Sequence, residues 1–136
     1  MWFQKEIPKV QNEKVWNVSD GRKTEVQKII ELSYDETDSI QLSFYDNGEI
    51  DNDTVSIYFN DSIIASSLRL TQIPFNYYIT FNKSMKVQKI RLVAENLGFI
   101  PPNTALLKVS TRKNQYLITL SSDFSKNGSV EFFLKE

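Results

Sequence analysis

The sequence predicts an all-β protein: an antiparallel β-sandwich, immunoglobulin-like or jelly-roll-like, of about eight to ten short strands. Three observations predict it. Apolar residues recur at every second position in one run after another. That is the pattern of a half-buried strand, because successive side chains leave on opposite faces. Asn, Asp, Gly and Pro punctuate those runs, and each of them favours a tight turn or an extended corner. Helical evidence is weak: Glu25–Leu32 alone could carry a helical period, and its alternation and neighbours favour a strand.

The runs follow in order. In Glu25–Leu32 the apolar Val26, Ile30 and Leu32 alternate on toward Tyr34, with Ile29 the exception. Ile40, Leu42 and Phe44 face one way, with Gln41, Ser43 and Tyr45 opposite. Val55, Ile57 and Phe59 repeat the pattern, as do Phe75, Tyr77, Ile79 and Phe81. Ile90, Leu92 and Ala94, then Ala105, Leu107 and Val109, then Tyr116, Ile118 and Leu120, and last Val130, Phe132 and Leu134 complete the set. Turns are expected at Asn47-Gly48, Asn60-Asp61, Lys113-Asn114 and Asn127-Gly128, where the residues accept a positive φ cheaply. Pro101-Pro102 forces a rigid connection that cannot lie inside a central strand. Residues 1–20 are polar, with Trp2, Phe3 and Trp16 scattered, and read as an edge strand or a linker. The sandwich domain is expected over 21–136.

At 136 residues the chain is one domain by length and can bury a proper core. Its net charge is −1, which argues against a nucleic-acid partner, since phosphate binders carry a marked basic excess. It has no Cys and no His. Disulfides, Cys/His zinc sites, thiol nucleophiles and imidazole bases are thereby excluded. Nothing resembles a nucleophile elbow or a glycine-rich phosphate loop, so no catalytic residue is assigned. No stretch approaches the roughly 18 apolar residues of a membrane helix, and no membrane insertion of this domain is expected. Nor is a basic start followed by an apolar run present. A cytoplasmic chain and an exported one whose signal lies outside these residues both fit at this point.

Three clusters stand out. The densest is Asp46-Asn47-Gly48-Glu49-Ile50-Asp51-Asn52-Asp53-Thr54. Asp46, Glu49, Asp51 and Asp53 supply the hard oxygens that calcium prefers, although the spacing is not that of an EF-hand loop. The other reading is a turn in which Asp and Asn side chains bond nearby backbone amides. Glu95 and Asn96 are expected close to this loop, as second contributors to an ion site or as part of a structural corner, with Phe99 and Ile100 plugging one end of the sandwich. Tyr45, Tyr58 and Tyr78, with Phe133, fall on outer faces, where aromatics form a platform for sugar rings or a partner, or simply cover strand ends. Lys86, Lys89 and Arg91 read as a solvated edge that discourages aggregation.

Two stretches carry a resemblance. They are Phe44-Tyr45-Asp46-Asn47-Gly48-Glu49-Ile50-Asp51-Asn52-Asp53-Thr54-Val55-Ser56-Ile57-Tyr58-Phe59-Asn60, and Leu92-Val93-Ala94-Glu95-Asn96-Leu97-Gly98-Phe99-Ile100-Pro101-Pro102-Asn103-Thr104-Ala105-Leu106. Together they resemble a family of uncharacterised all-β domains in exported proteins and lipoproteins of Bacteroidetes-type bacteria. The likeness runs from about Arg22 to the C-terminus. One departure is Asn52, where that family usually has Gly; Asn also tolerates a left-handed backbone. The resemblance implies a non-enzymatic structural or interaction module, periplasmic, cell-surface or extracellular and part of a larger envelope protein. It implies an unidentified protein or glycan partner, and it supplies no catalytic residue and no cofactor, calcium being the one ion the acidic loop suggests. It also implies that Asp38-Ser39-Ile40, Asp53-Thr54-Val55 and Asp61-Ser62-Ile63 are similar to the O-glycosylation signal of such bacteria. A carbohydrate-binding module using the outer-face tyrosines is the alternative function.

Overall fold

The computed structural model describes residues 22–46, 54–96 and 103–135. The described residues form nine strands: β1 (Lys23–Ser33), β2 (Ile40–Asp46), β3 (Thr54–Phe59), β4 (Ser62–Arg69), β5 (Phe75–Ile79), β6 (Val87–Ala94), β7 (Asn103–Ser110), β8 (Gln115–Ser122) and β9 (Lys126–Lys135). A single 3-10 turn, Tyr34–Glu36, follows β1. One sheet has the order β1-β9-β6-β3-β4 and the other β5-β2-β7-β8. The two pack face to face as a sandwich, the architecture the alternation predicts.

The inward faces are the apolar ones of the sequence pattern. Ile40, Leu42, Phe44, Val55, Ile57, Ile90, Leu92, Ala105, Leu107, Leu120, Val130 and Phe132 are closed to solvent. Phe81 lies just beyond β5, yet it is buried edge-on against Phe132 and stacked on Phe59. The Asn60-Asp61 turn forms as expected: both residues adopt positive φ in the two-residue link between β3 and β4.

The structure departs from the sequence reading in five places. Pairing is not wholly antiparallel, because β1 runs parallel to β9 at the edge of the larger sheet. A bulge between Val26 and Lys28 turns Val26 outward, and the run stops at Ser33, so Tyr34 opens the 3-10 turn. β4 is an added strand. Its pairing with β3 is irregular twice, which breaks the period that would have announced it. The turn before β9 is not at Asn127-Gly128. It is built by Asp123, whose Oδ1 accepts the N–H of Ser125 at 2.8 Å and of Lys126 at 3.0 Å. Lys86, Lys89 and Arg91 do not form an edge, since β6 lies between β9 and β3. Arg91 is only 5% exposed, and its guanidinium sits 4.4 Å above the Tyr58 ring.

Gly128 explains why a glycine occupies a central strand. A Cβ there would fall within 3.0 Å of the Ser121 carbonyl oxygen on the opposite sheet and of Gln27 Oε1. The Gln27 side chain itself spans the sheets: its Nε2 donates to Ser121 O at 3.0 Å, and its Oε1 accepts Ser121 N–H at 2.9 Å. This amide closes the side of the sandwich where β1 and β9 face β8. Gly128→Ala should therefore force backbone apart and cost about 1–3 kcal/mol, read as a lower midpoint in chemical denaturation. A wild-type midpoint would mean that the sheets are not held this close.

Candidate functional site

The two ends of the sandwich are built differently. At one end, the chain leaves β2 at Asp46 and returns at Thr54; it leaves β6 near Asn96 and returns at Asn103. The inward-facing row changes character here. Phe44 and Leu107 give way to Asp46, Asn103 and Ser122, all closed or nearly closed to solvent. The rims of both loops are tied together. Thr54 O accepts Glu95 N–H at 2.8 Å, Thr54 N–H donates to Asn96 Oδ1 at 3.2 Å, and Asn96 Nδ2 donates to the Thr54 hydroxyl at 3.2 Å. Asn103 Nδ2 bridges Thr54 O, at 3.1 Å, and Asn96 O. Ser56 donates to Glu95 Oε2 at 2.5 Å and accepts Ser67 N–H at 3.1 Å. Ser122 accepts Ala94 N–H at 2.9 Å, crossing between the sheets.

The expected juxtaposition of Glu95 and Asn96 with the acidic loop thus holds at its last residue, Thr54. Of the four expected calcium ligands, Asp46 lies at the inner floor of this end. Glu49, Asp51 and Asp53 lie outside the described residues, as do Phe99 and Ile100. Among the described residues no group of three or more carboxylates gathers as a metal site. Asn103 was not foreseen. Its Oδ1 is buried and makes no hydrogen bond, which marks it as a free oxygen at the floor.

The tyrosines are not brought together. Tyr45 and Tyr78 share the outer face of the smaller sheet, on β2 and β5. Tyr58 stands on β3 of the other sheet, half-covered beneath Arg91. Tyr78 is 67% exposed. Among the three Asp-Ser/Thr-aliphatic triplets, Ser39 and Ser62 are exposed, whereas Thr54 is half-buried in the rim just described.

The opposite end is sealed by Glu36, which sequence reading overlooked because a lone acid after a strand carries no signal. Its carboxylate is buried. Oε1 accepts Ser33 N–H at 3.0 Å, and Oε2 accepts from Asn114 Nδ2 at 2.8 Å, Thr111 at 3.0 Å and Tyr116 at 3.2 Å. Burial pushes this carboxyl up, but the hydrogen bonds from Ser33, Asn114, Thr111 and Tyr116 outweigh it and leave the pKa below 4.5. Burial also raises the Tyr116 hydroxyl, with the Glu36 charge adding to it. Nearby, the Lys113 ammonium and the Ser33 hydroxyl hold the exposed Asp35 at about 2. Buried Gln88 pins the adjoining loop: its Nε2 donates to Asn82 O at 2.8 Å, and its Oε1 accepts Asn82 N–H at 3.1 Å. With every Glu36 oxygen engaged by donors of its own fold, this cluster is a clasp between the 3-10 turn and the β7–β8 hairpin.

Between β4 and β5, on the side away from Gln27, lies a cleft of about 300 Å³. Leu68, Leu70, Ile73 and Phe75 line it over Phe44, with Arg69 and Thr71 as its polar members. No family model, curated protein or solved structure matches this chain. Among the described residues, no helix is long and apolar enough to cross a membrane.

The Glu36 clasp makes a pH prediction. Its folded pKa is depressed, so its stabilisation is complete above the unfolded value near 4.5 and is lost as pH falls through the lower folded value. Glu36→Gln should cost about 1.5–3 kcal/mol at pH 7 and flatten the decline of stability between pH 5 and the acid limit. Parallel acid limbs in the two proteins would remove Glu36 from that role.

Proposed function

We propose that this chain is a non-enzymatic structural and interaction module, exported and carried within a larger envelope protein. We further propose that its acidic segment, Asp46–Asp53, binds calcium and rigidifies one end of the sandwich. The observation that carries this reading is the polar floor under the two loops. Asp46 and Asn103, with Ser122, replace at that end the apolar row of Phe44, Leu107 and Leu120. A carboxylate placed there persists only if hydrogen bonds, an opposite charge or a cation neutralise it. A side-chain amide oxygen beside carboxylates is a donor set that suits calcium. The rim of Thr54, Asn96 and Asn103 gives such a site a rigid base. The resemblance of the two loop sequences to exported Bacteroidetes-type domains supports the location and the modular role.

A carbohydrate-binding module is the second reading. In its favour, Tyr45 and Tyr78 share one outer face, and Tyr78 is largely exposed. Tyr58 cannot belong to the same platform. On this reading, Tyr78→Ala abolishes glycan binding and leaves the melting midpoint in place.

Thermal melts with millimolar calcium and then with chelator test the first reading. A ligand that binds only the folded state at a hundred times its Kd stabilises by about 2.7 kcal/mol. For a domain this size the midpoint should rise by roughly several degrees. The rise should vanish in Asp51→Ala/Asp53→Ala. An unchanged midpoint in the wild-type protein returns the segment to a hydrogen-bonded turn.

A further inference from the structure

We propose that β5 is a self-complementary edge, and that two copies of this chain pair antiparallel along it to join their smaller sheets. β5 is the terminal strand of the β5-β2-β7-β8 sheet, and among the described residues it pairs with β2 and with no other strand, which leaves its outer row of backbone groups without a strand partner there. Such edges are ordinarily guarded by charge. Of the larger sheet's two edge strands, β1 is guarded in that way by Lys23, Glu25, Lys28 and Glu31, and β4 by the two irregularities in its pairing and by Arg69 at its end. β5 reads Phe75-Asn76-Tyr77-Tyr78-Ile79 and contains no charged residue. The far edge of its own sheet, β8, is partly occupied, since both backbone groups of Ser121 bond to Gln27. On the β5 side, among the described residues, no such side-chain amide joins the sheets, and the mostly apolar cleft opens there instead.

The sequence of β5 fits a twofold axis through Tyr77. Antiparallel pairing about that residue sets Tyr77 against its own copy, Phe75 against Ile79, and Asn76 against Tyr78. Aromatic–aromatic and aromatic–β-branched pairs are favourable across strands, and no like charges meet. A single isologous contact of this kind closes on itself as a dimer and does not propagate. Two further features suit a second copy. Tyr77, 36% exposed, stacks on Phe75 with ring centroids 6.3 Å apart, extending the apolar inner face to the open edge. Ile73 is 81% exposed although its turn is held: the Thr71 hydroxyl accepts Ile73 N–H at 3.1 Å, and Thr71 O accepts Asp46 N–H at 2.8 Å. It is a fixed apolar knob beside the cleft, placed to cover apolar surface on a partner subunit.

The test uses the full chain, whose lack of cysteine makes a single introduced thiol unambiguous. In the pairing above, the two copies of position 77 stand about 4.5–5.5 Å apart between Cα atoms. A disulfide spans about 4.4–6.8 Å. Tyr77→Cys should give a disulfide-linked dimer under mild oxidation at micromolar concentration. Leu117→Cys, on the 64% exposed position of β8, should cross-link at least ten times more slowly. Sedimentation of the unmodified chain should give a dimer at high concentration. Tyr77→Lys and Tyr77→Glu should each sediment as monomers with a cooperative melt, and their mixture should restore the dimer. A wild-type monomer at every concentration overturns the proposal, as does equal cross-linking at 77 and 117, or a mixture that stays monomeric.

Discussion

Two sheets share a core only as closely as the backbone allows, and in this protein Gly128 permits an approach that a Cβ would block. The missing side chain lets β9 press against Ser121 of β8, and the Gln27 amide then fastens β1 to the same residue. One side of the sandwich is thereby shut by hydrogen bonds across the layers. On the other side, among the described residues, no amide bridges β4 and β5, and the interlayer space opens as the mostly apolar cleft. The asymmetry of the molecule follows from where one glycine and one glutamine fall.

The two ends divide along similar lines. At the Glu36 end, a buried carboxylate is surrounded by donors from two segments, the end of β1 and the β7–β8 hairpin, and the order of that end depends on it. The 3-10 turn and the β7–β8 hairpin are held by the same two oxygens, so neither moves without the other. At the Asp46 end, the fixed part is a rim and a floor. Thr54, Asn96 and Asn103 hold the departures of two loops together, and Asp46 with Asn103 lies beneath them.

Much of the fold was legible. Wherever one face of a strand is buried and the other is not, alternation announces it, and the runs around Leu42, Ile57, Leu92, Leu107 and Leu120 point inward as read. Legibility failed where the period itself fails. The bulge at Gln27 turned Val26 outward, and the two irregularities in β4 hid a whole strand. Asn127-Gly128 looked like a turn because glycine after asparagine serves turns and close approaches alike, and only the position of Ser121 distinguishes them. Of the candidate site, the neighbourhood of Thr54 with Glu95 and Asn96 was legible, while Asn103 was not, because an amide oxygen becomes notable only once it is buried without a partner.

The sequence by itself determined the layer architecture, the inward set of apolar residues and the absence of thiol and imidazole chemistry. Those depend on local period and residue type. Tertiary structure alone decided strand order, the parallel pairing of β1 with β9, and the assignment of Tyr58 to a different sheet from Tyr45 and Tyr78. It also turned Arg91 from a solvated charge into a buried stack on Tyr58. Alternation tells which side of a strand is wet, but it carries no information about which strand lies alongside. That choice is made by long-range contacts, whose registry no short window of sequence contains.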